Sequence, residues 1–173
     1  LELPAIFNKV RETIPEARLV LIGSDSFDIQ TQSLSTWELL KKEFEEEDLE
    51  QVSYLGKMSY DNVQEYIRKA NVCVFPSFAE TFGMVTIEAM AMQKPVVSND
   101  FGWSQELIVS GQNGFLVHPK KHTDFAKTIV TLLEDEHLCE KIGAAARHRV
   151  ESIFDIQQIV QQNVDFYESI ISK

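Results

Sequence analysis

Two glutamates separated by seven residues, Glu80 and Glu88, flank the segment of this chain whose residue types and order indicate chemistry. Gly83 lies between them and permits a positive φ or a close backbone approach. A helical pattern begins at Met84, and the unpaired amides at a helix start form a natural phosphate cradle. Glu88 lies about one turn further on, where an ionised carboxylate, which only accepts hydrogen bonds, suits a ribose diol. Glu80 lies on the other side of the phosphate position, where a sugar would be.

Short β-rich runs and helical patterns alternate around this segment. Apolar runs such as residues 17–22 predict strands buried on both faces, which is typical of parallel sheets. The fold class is therefore α/β, a doubly wound parallel sheet with helices on both faces. Strands are predicted at 17–22, 51–55, 72–75, 95–98 and 115–117, and helices at 4–14, 36–47, 61–70, 84–92, 124–133, 136–150 and 155–170.

Ligands of such sheets bind at the carboxyl ends of the strands. Three predicted strand ends therefore form the candidate site: residues 23–25, 56–58 and 76–84.

The segment 75–91 resembles the donor-site motif of retaining GT-B glycosyltransferases of the glycogen-synthase and sucrose-synthase-like superfamily (glycosyl transferases group 1, family 4-like). The signature of that superfamily is the glutamate pair, here Glu80 and Glu88. Further blocks resemble the family in type and order, so the resemblance covers nearly the whole chain. These blocks are 19–23, 54–58, 71–77, 88–97, 102–108 and 113–117.

The resemblance implies a role for each candidate residue. Glu80 would be the catalytic residue that contacts the transferred sugar, and Glu88 would bind the donor ribose. The loop at Lys57 and Met58 would lie near the base. The remaining donor-binding residues, of which the last four act through their backbone, would be Gly23, Thr81, Phe82, Gly83, Met84 and Val85.

The resemblance also implies the domain organisation. Residues 1–154 would form a Rossmann-like donor-binding domain, the C-terminal half of a GT-B fold, and residues 155–173 a C-terminal helix. The first strand of that domain, with the Arg and Lys that neutralise the diphosphate, and an N-terminal acceptor-binding domain would lie outside this chain. Two positions depart from the family, which usually has glycine where this chain has Gln93 and often has glycine where it has Trp103.

Composition limits the partners. The net charge of −11 repels nucleic-acid phosphates and anionic membrane surfaces. No apolar run reaches the ~18 residues that a membrane-spanning helix needs. The two cysteines, Cys73 and Cys139, are expected to be free thiols in a reducing compartment. By resemblance the location is cytoplasmic, with the longer protein docked on the inner membrane.

No metal or cofactor is expected. His118 and His122 have a spacing that could suggest a metal pair, but Pro119 breaks the helix that would place them on one face. The sequence also lacks an Asp-x-Asp pair that could hold a catalytic metal.

The predicted function is transfer of a sugar from a nucleoside diphosphate sugar to a glycan or lipid-linked acceptor, in cell-surface polysaccharide synthesis. By itself the chain is expected to be inactive, because catalysis needs the cleft between two domains. Two alternatives stay open: a non-catalytic α/β binding or assembly module without a working donor site, and a GT-B epimerase or phosphorylase relative.

Overall fold

The computed structural model describes residues 2–29 and 31–171, which form two parallel sheets with helices packed against them. The strands are β1 (Leu19–Leu21), β2 (Val52–Tyr54), β3 (Cys73–Phe75), β4 (Val96–Ser98) and β5 (Phe115–Leu116). The helices are α1 (Leu3–Thr13), α2 (Thr36–Lys41), α3 (Glu46–Leu49), α4 (Tyr60–Lys69), α5 (Met84–Ala91), α6 (Ser104–Leu107), α7 (His122–Glu134), α8 (Glu136–Phe154) and α9 (Ile156–Ile171).

The larger sheet has the order β3-β4-β5 and is covered on both faces. On one face Val96 packs in a cluster with Ile87 of α5 and Ala146 of α8. On the other face Val97 packs with Phe125 of α7 and with α1. All its strands are parallel, with Cys73 opposite Val96. The predicted doubly wound α/β class is confirmed.

The smaller sheet pairs β1 with β2, and one of its faces is open. Leu19 is buried with Phe7 and Phe44, whereas Val20 is 44% exposed and its register partner Ser53 is also exposed. The prediction that residues 17–22 form a strand buried on both faces was therefore wrong, because the helices of this cluster cover a single face.

Strands β1 and β3 each have one edge without a strand partner in the described part of the chain. Helix α1 packs on both sheets, with Ile6 in the cluster of Val97 and Phe7 in the cluster of Leu19. The predicted absence of a first strand stays a prediction.

Two further differences concern helices. The predicted helix at 36–47 is two short helices, α2 and α3, because the turn between them directs Phe44 into the core, where its ring lies edge-on to Phe7 at 6.1 Å. Helix α6 was not predicted, since four residues are too few to show a helical period. Both cysteines carry free thiols, as expected.

The last helix has little contact with the rest of the chain. Helix α8 ends at Phe154, and the carboxylate of Asp155 accepts hydrogen bonds from the first amides of α9. The apolar residues of α9, such as Ile156, Val160 and Ile170, are exposed. They therefore do not pack on this domain. No helix within the described ranges is long and apolar enough to cross a membrane.

Gln93 occupies a position that glycine usually takes at helix ends. It follows α5 with φ = 58°, and the amide of Lys94 donates to the carbonyl of Ala89 at 3.0 Å, which closes the helix end. Helix α8 crosses this turn so closely that a Cβ at Gly143 would lie 2.1 Å from the carbonyl oxygen of Gln93. The turn is therefore fixed in place, and the left-handed backbone of Gln93 is strained.

Replacing Gln93 with glycine is expected to raise the free energy of unfolding by about 1 kcal/mol, because glycine adopts a positive φ without steric cost. For a chain of this size the gain corresponds to roughly 2 to 4 °C in Tm, measured by calorimetry. Gln93→Ala is the matched control, since it removes the side chain and keeps the Cβ. An equal gain in both variants would show that backbone strain is not the cause.

Candidate functional site

The start of α5 forms an open cluster of backbone donors at the carboxyl edge of the larger sheet. Strand β3 ends at Phe75, and the chain turns at Gly83, whose φ is 70°. Gly83 is the residue before the helix and has no side chain to cap it; the first helical bond runs from the amide of Ile87 to the carbonyl of Gly83 at 3.0 Å. The amides of residues 84–86 therefore have no backbone partner in the described chain, and they can bind an anion.

The two glutamates flank this helix start. Glu80 is exposed, and its carboxylate accepts a hydrogen bond from the amide of Thr81 at 2.9 Å. A Cβ at Gly83 would lie 3.7 Å from Cγ of Glu80, so this loop glutamate lies directly beside the turn. Glu88 lies about one turn into α5 and is half-buried, and its carboxylate has no hydrogen-bond partner among residues 2–29 and 31–171.

The other predicted residues of this segment present their side chains at the same edge. Phe82, Met84 and Val85 are exposed hydrophobic residues, whereas Gly83 is buried. The ring of Phe82 packs edge-on against Trp103 at 5.0 Å and lies 6.2 Å from the ring of Phe154.

Trp103 stands where the family often has glycine, but the backbone conformation at this position does not require glycine. Its φ of −55° is an ordinary right-handed value, and it directly precedes α6. The indole therefore adds an aromatic contact to Phe82 without straining the backbone.

A second group of predicted residues lies at the ends of β1 and β2. The amide of Gly23 donates to the carbonyl of Gly56 at 3.0 Å, and the hydroxyl of Tyr54 donates to the carbonyl of Gly23 at 2.9 Å. Gly23 thus lies beside the loop of Lys57, which is exposed, and Met58, which is half-buried. No hydrogen bond or ring contact within the described ranges joins this group to the start of α5, so the candidate site has two halves.

A shallow cavity of about 210 Å³ next to this second group was not predicted as a cavity from the sequence. Trp37 stacks on Tyr54 at 4.8 Å along one side of it. Hydrogen bonds from the hydroxyl of Ser35 and the amide of Trp37 hold the pKa of Asp25 below its usual range, so this carboxylate stays ionised. Two sequence signals fall in this region: the predicted strand end at residues 23–25 lines the cavity, and the Ser35-x-x-Glu38 pattern marks the start of α2.

The two histidines considered as a metal pair have separate partners. Nε2 of His122 is hydrogen-bonded to the carboxylate of Glu2, and Nδ1 of His118 accepts a hydrogen bond from the amide of Lys120 at 3.2 Å. The described residues contain no group of three or more side chains that could hold a metal ion.

Comparison with known proteins assigns the chain to a family. Residues 3–149 match the family described as Glycosyl transferases group 1. The chain belongs to this family. The trehalose synthase of Thermococcus litoralis is 30% identical over 164 residues, which cover 95% of this chain and 39% of that protein. The capsular polysaccharide biosynthesis glycosyltransferase CapM of Staphylococcus aureus is 34% identical over 108 residues, covering 62% of this chain and 28% of that protein.

Solved structures agree with this membership in the group 1 family. Anabaena HepE, in a crystal structure with UDP and glucose, is 28% identical and superposes with a TM-score of 0.82 over 95% of this chain and 44% of its own. The fold matches the C-terminal Rossmann-like domain of GT-B glycosyltransferases. The chain spans less than half the length of each relative named here.

The turn at Gly83 provides a paired test of the helix start. We expect Gly83→Ala to lower the free energy of unfolding by more than Gly102→Ala, each measured by urea unfolding. Both glycines have a left-handed φ, 70° and 61°, so both variants lose about 1 kcal/mol from backbone strain. A Cβ at Gly83 would also lie 3.2 Å from Cδ1 of Leu107, whereas one at Gly102 meets nothing within 4 Å. Equal losses would contradict close packing of α6 against this turn.

Proposed function

We propose that this chain is the donor-binding domain of a retaining glycosyltransferase. The longer enzyme would transfer a sugar from a nucleoside diphosphate sugar to a glycan or lipid-linked acceptor. The observation that carries the proposal is the start of α5, where open amides lie between two carboxylates at the carboxyl edge of a parallel sheet.

The donor would lie along this edge in a fixed direction. The amides of residues 84–86 would bind the diphosphate, and they would stabilise the charge that builds on it as the glycosidic bond breaks. Glu88, with no partner of its own in the described structure, would accept hydrogen bonds from the ribose hydroxyls. Glu80 would contact the transferred sugar on the other side of the diphosphate. The proposal assigns no cofactor to this domain.

The second half of the site would hold the base. Gly23, Lys57 and Met58 are brought together by the bond between Gly23 and Gly56. A nucleotide with its base at Gly23 and Lys57 and its diphosphate at the start of α5 would therefore contact both sheets. The proposal includes a first strand outside this chain, whose Arg and Lys would neutralise the diphosphate.

The proposed acceptor and pathway rest on the relatives. CapM is named for capsular polysaccharide biosynthesis, and the HepE structure contains UDP and glucose. A role in cell-surface polysaccharide synthesis, in the cytoplasm and at the inner membrane, extends those names to this chain. The acceptor would bind on an N-terminal domain of the same protein, so the 173-residue chain would bind nucleotide and transfer no sugar.

A thermal-shift panel of uridine, guanosine, adenosine and cytidine diphosphates tests the donor site. One nucleotide is expected to raise Tm. At a nucleotide concentration 100 times the dissociation constant, binding adds ~2.7 kcal/mol to the free energy of unfolding, which raises Tm by roughly 5 to 10 °C. Glu88→Gln is expected to weaken that nucleotide about 10- to 100-fold, because it removes charge-assisted hydrogen bonds.

Glu140→Gln is the matched control for this test. Glu140 is an exposed glutamate at the opposite edge of the sheet from the start of α5. Its neighbour Cys139 lies at that opposite edge, because the Cys139 thiol contacts the carbonyl of Asn71, just before β3. This variant should bind the nucleotide like the unmodified chain. Equal affinity in the Glu88 variant, or no shift with any nucleotide, would favour a non-catalytic module that keeps the fold without a donor site.

A further inference from the structure

Three rings from three different loops form an aromatic cluster that the donor site does not use. Phe78, Phe101 and His118 have ring centroids 5.7 to 6.3 Å apart. Phe78 follows β3, Phe101 follows β4 and His118 follows β5, so the cluster lies across the carboxyl ends of neighbouring parallel strands. We call these three rings the aromatic platform.

The platform lies at the same edge of the larger sheet as the proposed donor site. Phe78 and Glu80 belong to the same loop between β3 and α5. Phe101 belongs to the loop that also presents Trp103 to Phe82. The platform therefore shares its edge and one of its loops with the proposed donor residues, and a second loop contacts the donor residue Phe82 through Trp103.

The platform combines a partly exposed ring with polar groups close to it. Phe78 is 47% exposed, although its ring is held nearly parallel to that of Phe101. Nδ1 of His118 accepts the amide hydrogen of Lys120, so in the neutral imidazole the proton is assigned to Nε2, which can donate to a ligand. Nζ of Lys120 lies 5.8 Å from the centre of the Phe78 ring.

We propose that the aromatic platform adds a contact from this domain to the acceptor, most of which would lie on the N-terminal domain: the platform would bind one pyranose that carries an anionic substituent, such as a hexuronic acid. The proposal rests on the proposed glycosyltransferase function. The face of an aromatic ring is electron-rich, and it attracts the C–H groups on the apolar face of a pyranose. Lys120 would pair with the carboxylate, and His118 would donate to a ring substituent. The ammonium of Lys120 is a local positive charge on a chain whose net charge is −11, and it is complementary to an anionic group on the ligand.

Binding of two simple glycosides to the 173-residue chain tests this assignment by NMR titration. Methyl β-glucuronide is expected to bind more tightly than methyl β-glucoside. Phe78→Leu should weaken both about two- to tenfold, because leucine keeps the apolar bulk and removes the aromatic face. Lys120→Met should weaken the glucuronide alone, about two- to fivefold, since methionine keeps much of the stem and removes the charge.

Phe27→Leu is the matched control, because Phe27 is 48% exposed and lies in the loop after β1. This variant should bind both glycosides like the unmodified chain. Unchanged glycoside affinity in Phe78→Leu, or no binding by the unmodified chain, would overturn the proposal.

Competition with UDP-glucose separates the platform from the donor sugar position. Glycoside binding is expected to persist at saturating UDP-glucose, and displacement would overturn the proposal by assigning the platform to the donor. A failure of the donor proposal would be seen in a different measurement: the nucleotide would bind equally well to the Glu88→Gln variant and to the unmodified chain. The affinity for uridine diphosphate should be equal in Phe78→Leu and the unmodified chain.

Discussion

The turn at Gly83 is the constraint on which the candidate site depends. The chain leaves β3 along the sheet and must reverse to run back as α5 over the same face, and a left-handed residue at the junction makes that reversal. Because the residue is glycine, no side chain competes for the open amides and Glu80 can lie against the turn. Packing of α5 on β3, β4 and α8 then fixes the direction in which these amides point.

The same packing explains why the other end of α5 tolerates a strained residue. Gly143 of α8 lies almost in contact with the carbonyl of Gln93, so the position of that turn is set by helix packing. The strain at Gln93 persists because the surrounding structure over-determines it. Gln93 lies at the end of α5 away from the predicted donor residues. Having glutamine instead of glycine there is therefore expected to affect the stability of the fold more than ligand binding.

Most of the larger sheet could be predicted from the sequence, because its strands are short apolar runs bounded by clear helical periods. The start of α5 was also predictable, since Gly83 and the glutamates at their spacing mark it. The exposed face of β1 could not be predicted. A continuous apolar run indicates a buried strand, and it does not show whether one face or both faces are covered. The break between α2 and α3 was missed because Phe44 enters the core through a tertiary contact that no local pattern encodes.

The cavity beside Trp37 was predicted only through the strand end at residues 23–25, and the aromatic platform was missed, for a related reason. Each is assembled from residues far apart in sequence, and single aromatic residues in loops have no period that distinguishes packing from binding. Topology supplies what the pattern lacks, because parallel strands bring their following loops to one edge. That edge carries amides, carboxylates and rings, each from a different part of the chain. Under the proposed function, donor binding would depend on the turn at Gly83, while acceptor preference would change through loop residues such as Phe78 and Lys120.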